Sequence, residues 1–266
     1  MCREKQSIHL VSMSPEPTDL RNNKNSDGAN GTSSPCEPAP ADLVRALALA
    51  EKKLEIVGSV TRHDVFNQLT AIMGYNELLS TIVQDKEQLR FLEVQRRSSE
   101  KMRRTFAYSK VYQAIGEEPP RLQTFEMLVK FAREEVDLGT VAIRSEVNTY
   151  SVFTDMLFIK VLSYLFDNAV RHGKHTTEIR LRLKSDEKGA TLYIEDDGVG
   201  VEDGDKEKIF TKGFGKYTGW GLFVAREILS SNDMTIRETG TAGSGACFEI
   251  RIPANRIRTG TGPART

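Results

Sequence analysis

His63 stands in the run Thr61-Arg62-His63-Asp64-Val65-Phe66-Asn67-Gln68-Leu69. Asp64 can accept the proton on Nδ1 of the imidazole, which fixes the tautomer that leaves Nε2 free as a nucleophile. Asn67 is four residues on, so on a helix it sits one turn away on the same face. There it could hold a water beside a modified imidazole. Taken alone, the same residues also read as a polar helix face with an aspartate that caps, and a lone exposed histidine is most often only that.

Three further segments carry chemistry. In Leu165-Phe166-Asp167-Asn168-Ala169-Val170-Arg171-His172-Gly173, an asparagine interrupts an apolar helix, which is costly unless the amide is satisfied. Its carbonyl oxygen suits Mg²⁺, a cation that prefers oxygen and keeps waters beside substrate phosphates. Arg171 would offer charge to those phosphates. The competing reading is a buried Asn168 bonded to backbone. In Asp196-Asp197-Gly198-Val199-Gly200, Asp197 can accept from an exocyclic amine, while Gly198 and Gly200 let the backbone approach a flat ring. The same residues also make a plain turn. Gly213-Phe214-Gly215-Lys216-Tyr217-Thr218-Gly219-Trp220-Gly221-Leu222 leads into a helix, whose first backbone N–H groups bind phosphate well. Its glycines permit the mobility of a lid, and Lys212 or Lys216 can reach a phosphate. The Gly-x-x-x-x-Gly-Lys-Ser/Thr phosphate loop does not occur.

The elements that must position these groups follow from periodicity. Leu47, Ala50, Leu54 and Val57 step by three, four and three, the spacing of a seam that packs on another helix. The seam continues through Val65, Leu69, Ile72 and Leu79, in a helix expected from Asp42 as N-cap. His63 lies two positions past Thr61, the seam member after Val57, and so is turned outward. After a polar break at Gln84-Asp85-Lys86, a second helix is expected over 87–114, stopped by Gly116 and Pro119-Pro120. Two long helices with a short connection make an antiparallel hairpin, and pairing two hairpins into a four-helix bundle would bury the seams left exposed.

Beyond Pro120 the pattern changes. A helix over Phe125–Val136 ends at Gly139, Val141 and Ile143 alternate as a strand, and 154–172 form a strong apolar helix. Ile179, Leu181 and Leu183 turn through Asp186-Glu187-Lys188-Gly189 into Leu192 and Ile194 as a hairpin. A helix from Trp220 to Ser230 and strands at Met234–Ile236 and Phe248–Ile252 complete an α+β arrangement, with helices on one sheet face. The domains expected are a disordered tail over 1–40, a dimerisation hairpin over 41–117, an α/β sandwich over 120–254 and a flexible tail over 255–266.

Composition limits the function classes. The 37 basic and 37 acidic side chains cancel, which argues against nucleic-acid binding through bulk charge. Cys2, Cys36 and Cys247 have neither metal-ligand spacing nor a disulfide framework, which suits a reducing, cytoplasmic setting. No apolar run approaches the roughly 18 residues of a membrane span, so no direct membrane insertion is expected.

In order and spacing, these segments resemble the boxes of the sensor histidine kinase family. His63-Asp64-x-x-Asn67 is similar to its phosphoacceptor box, Asn168-Ala169 to its Asn box, and Asp197 with Gly198 and Gly200 to its first glycine box. Gly219-x-Gly221-Leu222 is similar to the second glycine box, Ile209-Phe210 and Gly213-Phe214 to the aromatic segment between them, and Gly243-x-Gly245-Ala246-Cys247-Phe248 to the closing strand. The match covers roughly residues 45–253. The resemblance implies a dimeric helical bundle joined to a two-layer α/β sandwich of the gyrase-like ATPase type, with ATP as donor and Mg²⁺ held by Asn168. It also implies Asp197 on the adenine amine, His63 as phosphoacceptor with Asp64 as its base, and onward transfer to the receiver domain of a response regulator. Asn67 would support removal of phosphate from that partner. Two departures stand out. Gln68 occupies a position where the commonest subfamily has Pro, and Tyr164 stands four before Asn168, where many of these kinases have Asn and gyrase-like ATPases a water-activating Glu. The alternatives are a phosphorelay carrier that has lost ATP chemistry, a nucleotide-responsive scaffold, and a Ser/Thr kinase of the anti-sigma-factor type, which would need neither His63 nor the hairpin.

Overall fold

The computed structural model describes residues 40–215 and 218–260. The chain divides into two compact units, Met1–Glu51 and Lys52–Thr266. Of the first, the structure describes the opening turns of helix α1 (Pro40–Ile82), where the side chains of residues 41–51 are all exposed. The expected disordered tail over 1–40 lies almost wholly outside the described residues, as do the side chains of Leu54, Val57 and Thr61.

Within the second unit, α1 turns into α2 (Lys86–Gln113) through a short connection. Asp85 caps α2, its Oδ1 accepting from Gln88 N at 2.9 Å, so the polar break serves as a helix start. Asn76, 2% exposed, donates its amide to Leu92 O at 2.8 Å and fixes the register of the two helices. The seam facing α2 runs through Leu69, Met73, Asn76 and Val83. Ile72 and Leu79, expected in the same seam, are instead 39% and 46% exposed. With Tyr75 and Ile82 they form a second stripe that steps by three, four and three. A single antiparallel partner covers one narrow strip of α1, and this stripe lies beside it.

The rest of the unit is an α+β sandwich. Five strands, β2 (Ala142–Ser145), β4 (Glu178–Asp186), β5 (Gly189–Asp196), β6 (Thr235–Glu238) and β7 (Cys247–Pro253), form one mixed sheet in the order β2-β4-β5-β7-β6. The expected hairpin pairs Leu181 with Ile194 and Leu183 with Leu192, while β2 joins β4 in parallel. Helices α3 (Phe125–Glu134), α4 (Phe158–His172) and α5 (Gly221–Ser231) pack on the sheet around Leu128, Leu162, Phe166, Ile228 and Ile250, all without solvent exposure.

A second sheet, β1-β3-β8, was not foreseen. Strand β1 (Arg121–Thr124) pairs with β3 (Tyr150–Thr154), which pairs with β8 (Ile257–Thr259). Two expectations are corrected here. Helix α4 begins at Phe158, not 154, because residues 150–154 are strand and Asp155 turns the chain, its Oδ1 accepting from Leu157 N at 2.9 Å. The tail expected over 255–266 instead forms a 3₁₀ turn and strand β8 over its first residues, and 261–266 lie outside the described residues. The free edge of β3 offers backbone partners for residues 257–259, and Arg256 donates to Phe153 O and to Asp233. Helix α3 also ends at Glu134, five residues before Gly139.

Candidate active site

A cavity of about 340 Å³ opens between the end of α4, the glycine-rich loop, the start of α5 and one face of α2. It gathers Asn168, Arg171, Gly200, Gly219, Gly221 and Leu222, six of the residues singled out from sequence. Asn168 follows from helical periodicity: it is half-buried at the end of α4, turned from the sheet toward the loop. Its amide has no hydrogen-bond partner among the described residues. Arg171 is one turn on from Asp167 and donates Nε to Asp167 Oδ1 at 2.6 Å. Lys174, with φ +62°, adds a further cationic wall residue, and Asp167, Glu202 and Asp205 add carboxylates.

The start of α5 meets the cavity through Gly221 and Leu222. Trp220 gives α5 no side-chain cap, so among the described residues the first turn keeps backbone N–H groups of the kind that bind anions. Gly219, at φ +64°, requires its lack of a Cβ: one built there would lie 2.5 Å from Phe214 N.

Other sequence-predicted residues are placed elsewhere. Asp197 is exposed and does not reach the cavity wall. Its Oδ1 accepts from Thr177 N at 2.7 Å and from Glu178 N, and its Oδ2 takes the Thr177 hydroxyl. The Thr177 hydroxyl, with the backbone donors of the same turn, holds the Asp197 carboxyl down at about 2. Asp196, one residue earlier, points the other way. It is half-buried, its Oδ1 accepts from Gly198 N at 2.9 Å and Ala246 N at 3.3 Å, and burial pushes its carboxyl up. The strand period already carried this signal, since Leu192 and Ile194 face the core and Asp196 continues their face. Gly198 is needed for packing rather than for approach to a flat ring: a Cβ there would lie 2.5 Å from Gly173 Cα. Lys212 sits 4.4 Å over the Trp220 ring and is not a wall residue, while Lys216 lies outside the described residues. Sequence reasoning missed Asp167, Lys174, Glu202 and Asp205 as wall residues, as well as Arg104 and Tyr108 from α2.

Asp197 gives a pH test of this geometry. Its folded value lies below the ordinary carboxylate value of about 3.9, so its contribution to stability is present above that value and lost as pH falls toward about 2. Thr177→Val removes the leading cause. Urea unfolding of wild type and variant should therefore differ most above pH ~4 and converge near pH ~2. A gap that stays constant with pH would show that Thr177 acts through packing alone.

His63 is on α1, its side chain 75% exposed. Its Nδ1 lies 3.2 Å from Asp64 Oδ1 and 3.4 Å from Asn67 Nδ2. The carboxylate needs a proton on Nδ1 and the amide needs a lone pair there, so the two contacts exclude each other. The closer, carboxylate-bound tautomer leaves the Nε2 lone pair facing solvent.

Residues 154–256 match the family model of the histidine kinase-, DNA gyrase B- and HSP90-like ATPases. This segment is thus similar to the ATPase domains of that family. The chain is also related to the sensor histidine kinases. It is 29% identical over 113 residues to the sensor protein CiaH of Streptococcus pneumoniae, a match covering 38% of this chain and 25% of CiaH. Sensor histidine kinase MtrB of Mycobacterium tuberculosis is 27% identical over 130 residues, covering 46% of this chain and 22% of MtrB. Sensor protein kinase WalK of Staphylococcus saprophyticus is 22% identical over 242 residues, covering 82% of this chain and 39% of WalK. The chain thus spans a minor part of the length of these relatives. The fold is similar to that of full-length ShkA, solved in complex with AMPPNP, with a TM-score of 0.56 at 19% identity, over 78% of this chain and 47% of that one. No helix among the described residues is long and apolar enough to cross a membrane. Around the cavity the glycine-rich loop and two helix ends converge, and neither Asp196 nor Asp197 is among the wall residues.

Proposed function

We propose that the chain is an ATP-dependent protein-histidine kinase that phosphorylates His63 and passes the phosphoryl group to an aspartate of a response-regulator receiver domain. The observation that carries this reading is the exposed imidazole of His63, its Nδ1 3.2 Å from Asp64 Oδ1 and its Nε2 left to solvent, in a chain with a segment similar to an ATPase-family domain. The Nε2 lone pair forms the bond to the γ-phosphorus as the bond to the ADP oxygen breaks, and the Nδ1 proton passes to Asp64, which leaves a neutral phosphoimidazole. The cavity suits the donor. Asp196, three residues before the wall residue Val199 and not itself in the wall, would accept the adenine amine, while Arg171 and the open start of α5 would hold phosphates. Mg²⁺ would be held by the unpartnered amide oxygen of Asn168, where it would neutralise charge on the transferred group. Asn67 would position a water when the partner is dephosphorylated.

The domains follow: a dimerisation and phosphotransfer hairpin over 41–117 and a nucleotide domain over 120–254. The stripe of Ile72, Tyr75, Leu79 and Ile82 is the face on which a second copy would complete a four-helix bundle.

Incubation with Mg²⁺ and γ-labelled ATP tests the reading. Acid-labile, base-stable label mapped to His63 is expected. Acid-stable label would point to a Ser/Thr kinase, and absence of label despite tight ATP binding to a nucleotide-responsive scaffold.

A further inference from the structure

Two side chains around the cavity come from α2, outside the segment that the ATPase family model covers. Arg104 and Tyr108 are one turn apart on that helix. Arg104 donates Nε to Glu100 Oε1 at 2.9 Å. Its Nη1 stands 3.6 Å from Asp167 Oδ2, an ion-pair distance too long for a hydrogen bond. A guanidinium has five N–H donors, so Arg104 retains several that are unspent among the described residues. Asp167 meanwhile gives its other oxygen to Arg171. One carboxylate therefore lies between two guanidiniums, one from α2 and one from α4. An entering polyphosphate offers both of them a stronger, bidentate acceptor.

Tyr108 fixes this face of α2 in place. Its ring meets Tyr164 edge to face, with centroids 4.9 Å apart. The Thr218 side chain reaches its hydroxyl, and a Cβ on Gly221 would lie 3.4 Å from that oxygen. One turn further, Tyr112 stacks on Phe223 of α5 at 5.8 Å. Helix α2 is thus held against α4, the end of the glycine-rich loop and the start of α5 together.

We infer that α2 is a working wall of the nucleotide cavity, and that Arg104 is a phosphate-binding residue for nucleoside di- and triphosphates. This rests on the nucleotide reading above. It makes phosphate affinity a property of the hairpin and the ATPase domain jointly, so nucleotide binding and docking of α2 reinforce each other.

The test uses the full chain in Mg²⁺, titrated calorimetrically with adenosine, ADP and a non-hydrolysable ATP analogue, with the thermal midpoint of each variant measured alongside. Arg104→Gln should weaken the analogue about ten- to a hundredfold, the range for a lost charge-assisted hydrogen bond. Adenosine affinity should stay within about twofold, and Arg104→Lys should recover part of the loss. Unchanged affinity for all three ligands overturns the inference. Equal loss for all three assigns Arg104 to packing and also overturns it. Tighter analogue binding in Arg104→Gln would mean that α2 obstructs the cavity, again the opposite of the proposal. Wild type that binds no adenine nucleotide defeats the nucleotide reading itself, and this inference with it.

Discussion

His63→Gln should abolish phosphoryl labelling, by more than about a thousandfold, and leave the affinity for ATP unchanged. The side chain is 75% exposed on the outer face of α1, and its recorded partners are its own helix neighbours Asp64 and Asn67. Glutamine is a good helix former, so the exposed substitution should shift stability by no more than about 0.5 kcal/mol. What is lost is the nucleophilic lone pair, which a carboxamide does not replace. Asp64→Asn gives the graded companion: it keeps the imidazole but exchanges a carboxylate that accepts from Nδ1 for an amide that can also donate to it, so both tautomers become populated. Labelling should slow without disappearing. The measurement is single-turnover transfer from γ-labelled ATP, beside nucleotide titration of each variant. Retained label in His63→Gln, or loss of labelling and nucleotide binding together, would remove His63 from the role given to it.

Asp196→Asn should cost about ten- to a hundredfold in adenine nucleotide affinity while leaving the protein at least as stable at neutral pH. The two effects have one cause. Burial beneath Gly198 and Ala246 raises the Asp196 carboxyl above its ordinary value, so holding it ionised costs free energy in the folded state. Asparagine keeps an oxygen for the same two backbone N–H groups and removes that cost, but presents an NH₂ where the adenine amine needs an acceptor. The sign of the pH dependence follows. Because the folded value is raised, the penalty is absent below the unfolded value near pH ~4 and grows as pH rises through the folded value. The thermal advantage of Asp196→Asn should therefore appear on going from pH ~4 to neutral pH. Asp197→Asn is the control, since its carboxylate serves Thr177 and Glu178. It should lose stability and keep nucleotide affinity. The reverse outcome, with Asp197→Asn defective in binding and Asp196→Asn normal, would restore the assignment first drawn from the sequence.

That assignment shows where sequence reasoning stopped. Two adjacent aspartates before a Gly-x-Gly turn are chemically equal on paper. A strand alternates its faces, so which of them continues the face of Leu192 and Ile194 depends on register, and the pairing of Asp196 with Ile179 puts Asp196 on that face. The glycines divide in the same way. Gly200 and Gly219 line the cavity and Gly198 does not, but a Cβ on any of the three would strike backbone, which no reading of the turn residues alone could show. Lys212 was a plausible phosphate ligand until the Trp220 ring took it.

By itself the sequence determined the elements with long, clean periods. These are the hairpin helices with their break at Asp85, the apolar face of α4, the β4–β5 hairpin and the outward turn of His63 beside Asp64, because local propensity and spacing act over one or two turns of chain. Only the tertiary structure decided the rest. The small β1-β3-β8 sheet joins strands of three to five residues, too short to show a period, and it exists because β3 has an edge to fill. The stripe left on α1 depends on which strip α2 covers. The α2 wall of the cavity brings Arg104 to Asp167 across 63 residues of sequence, and side chains that far apart meet through packing alone.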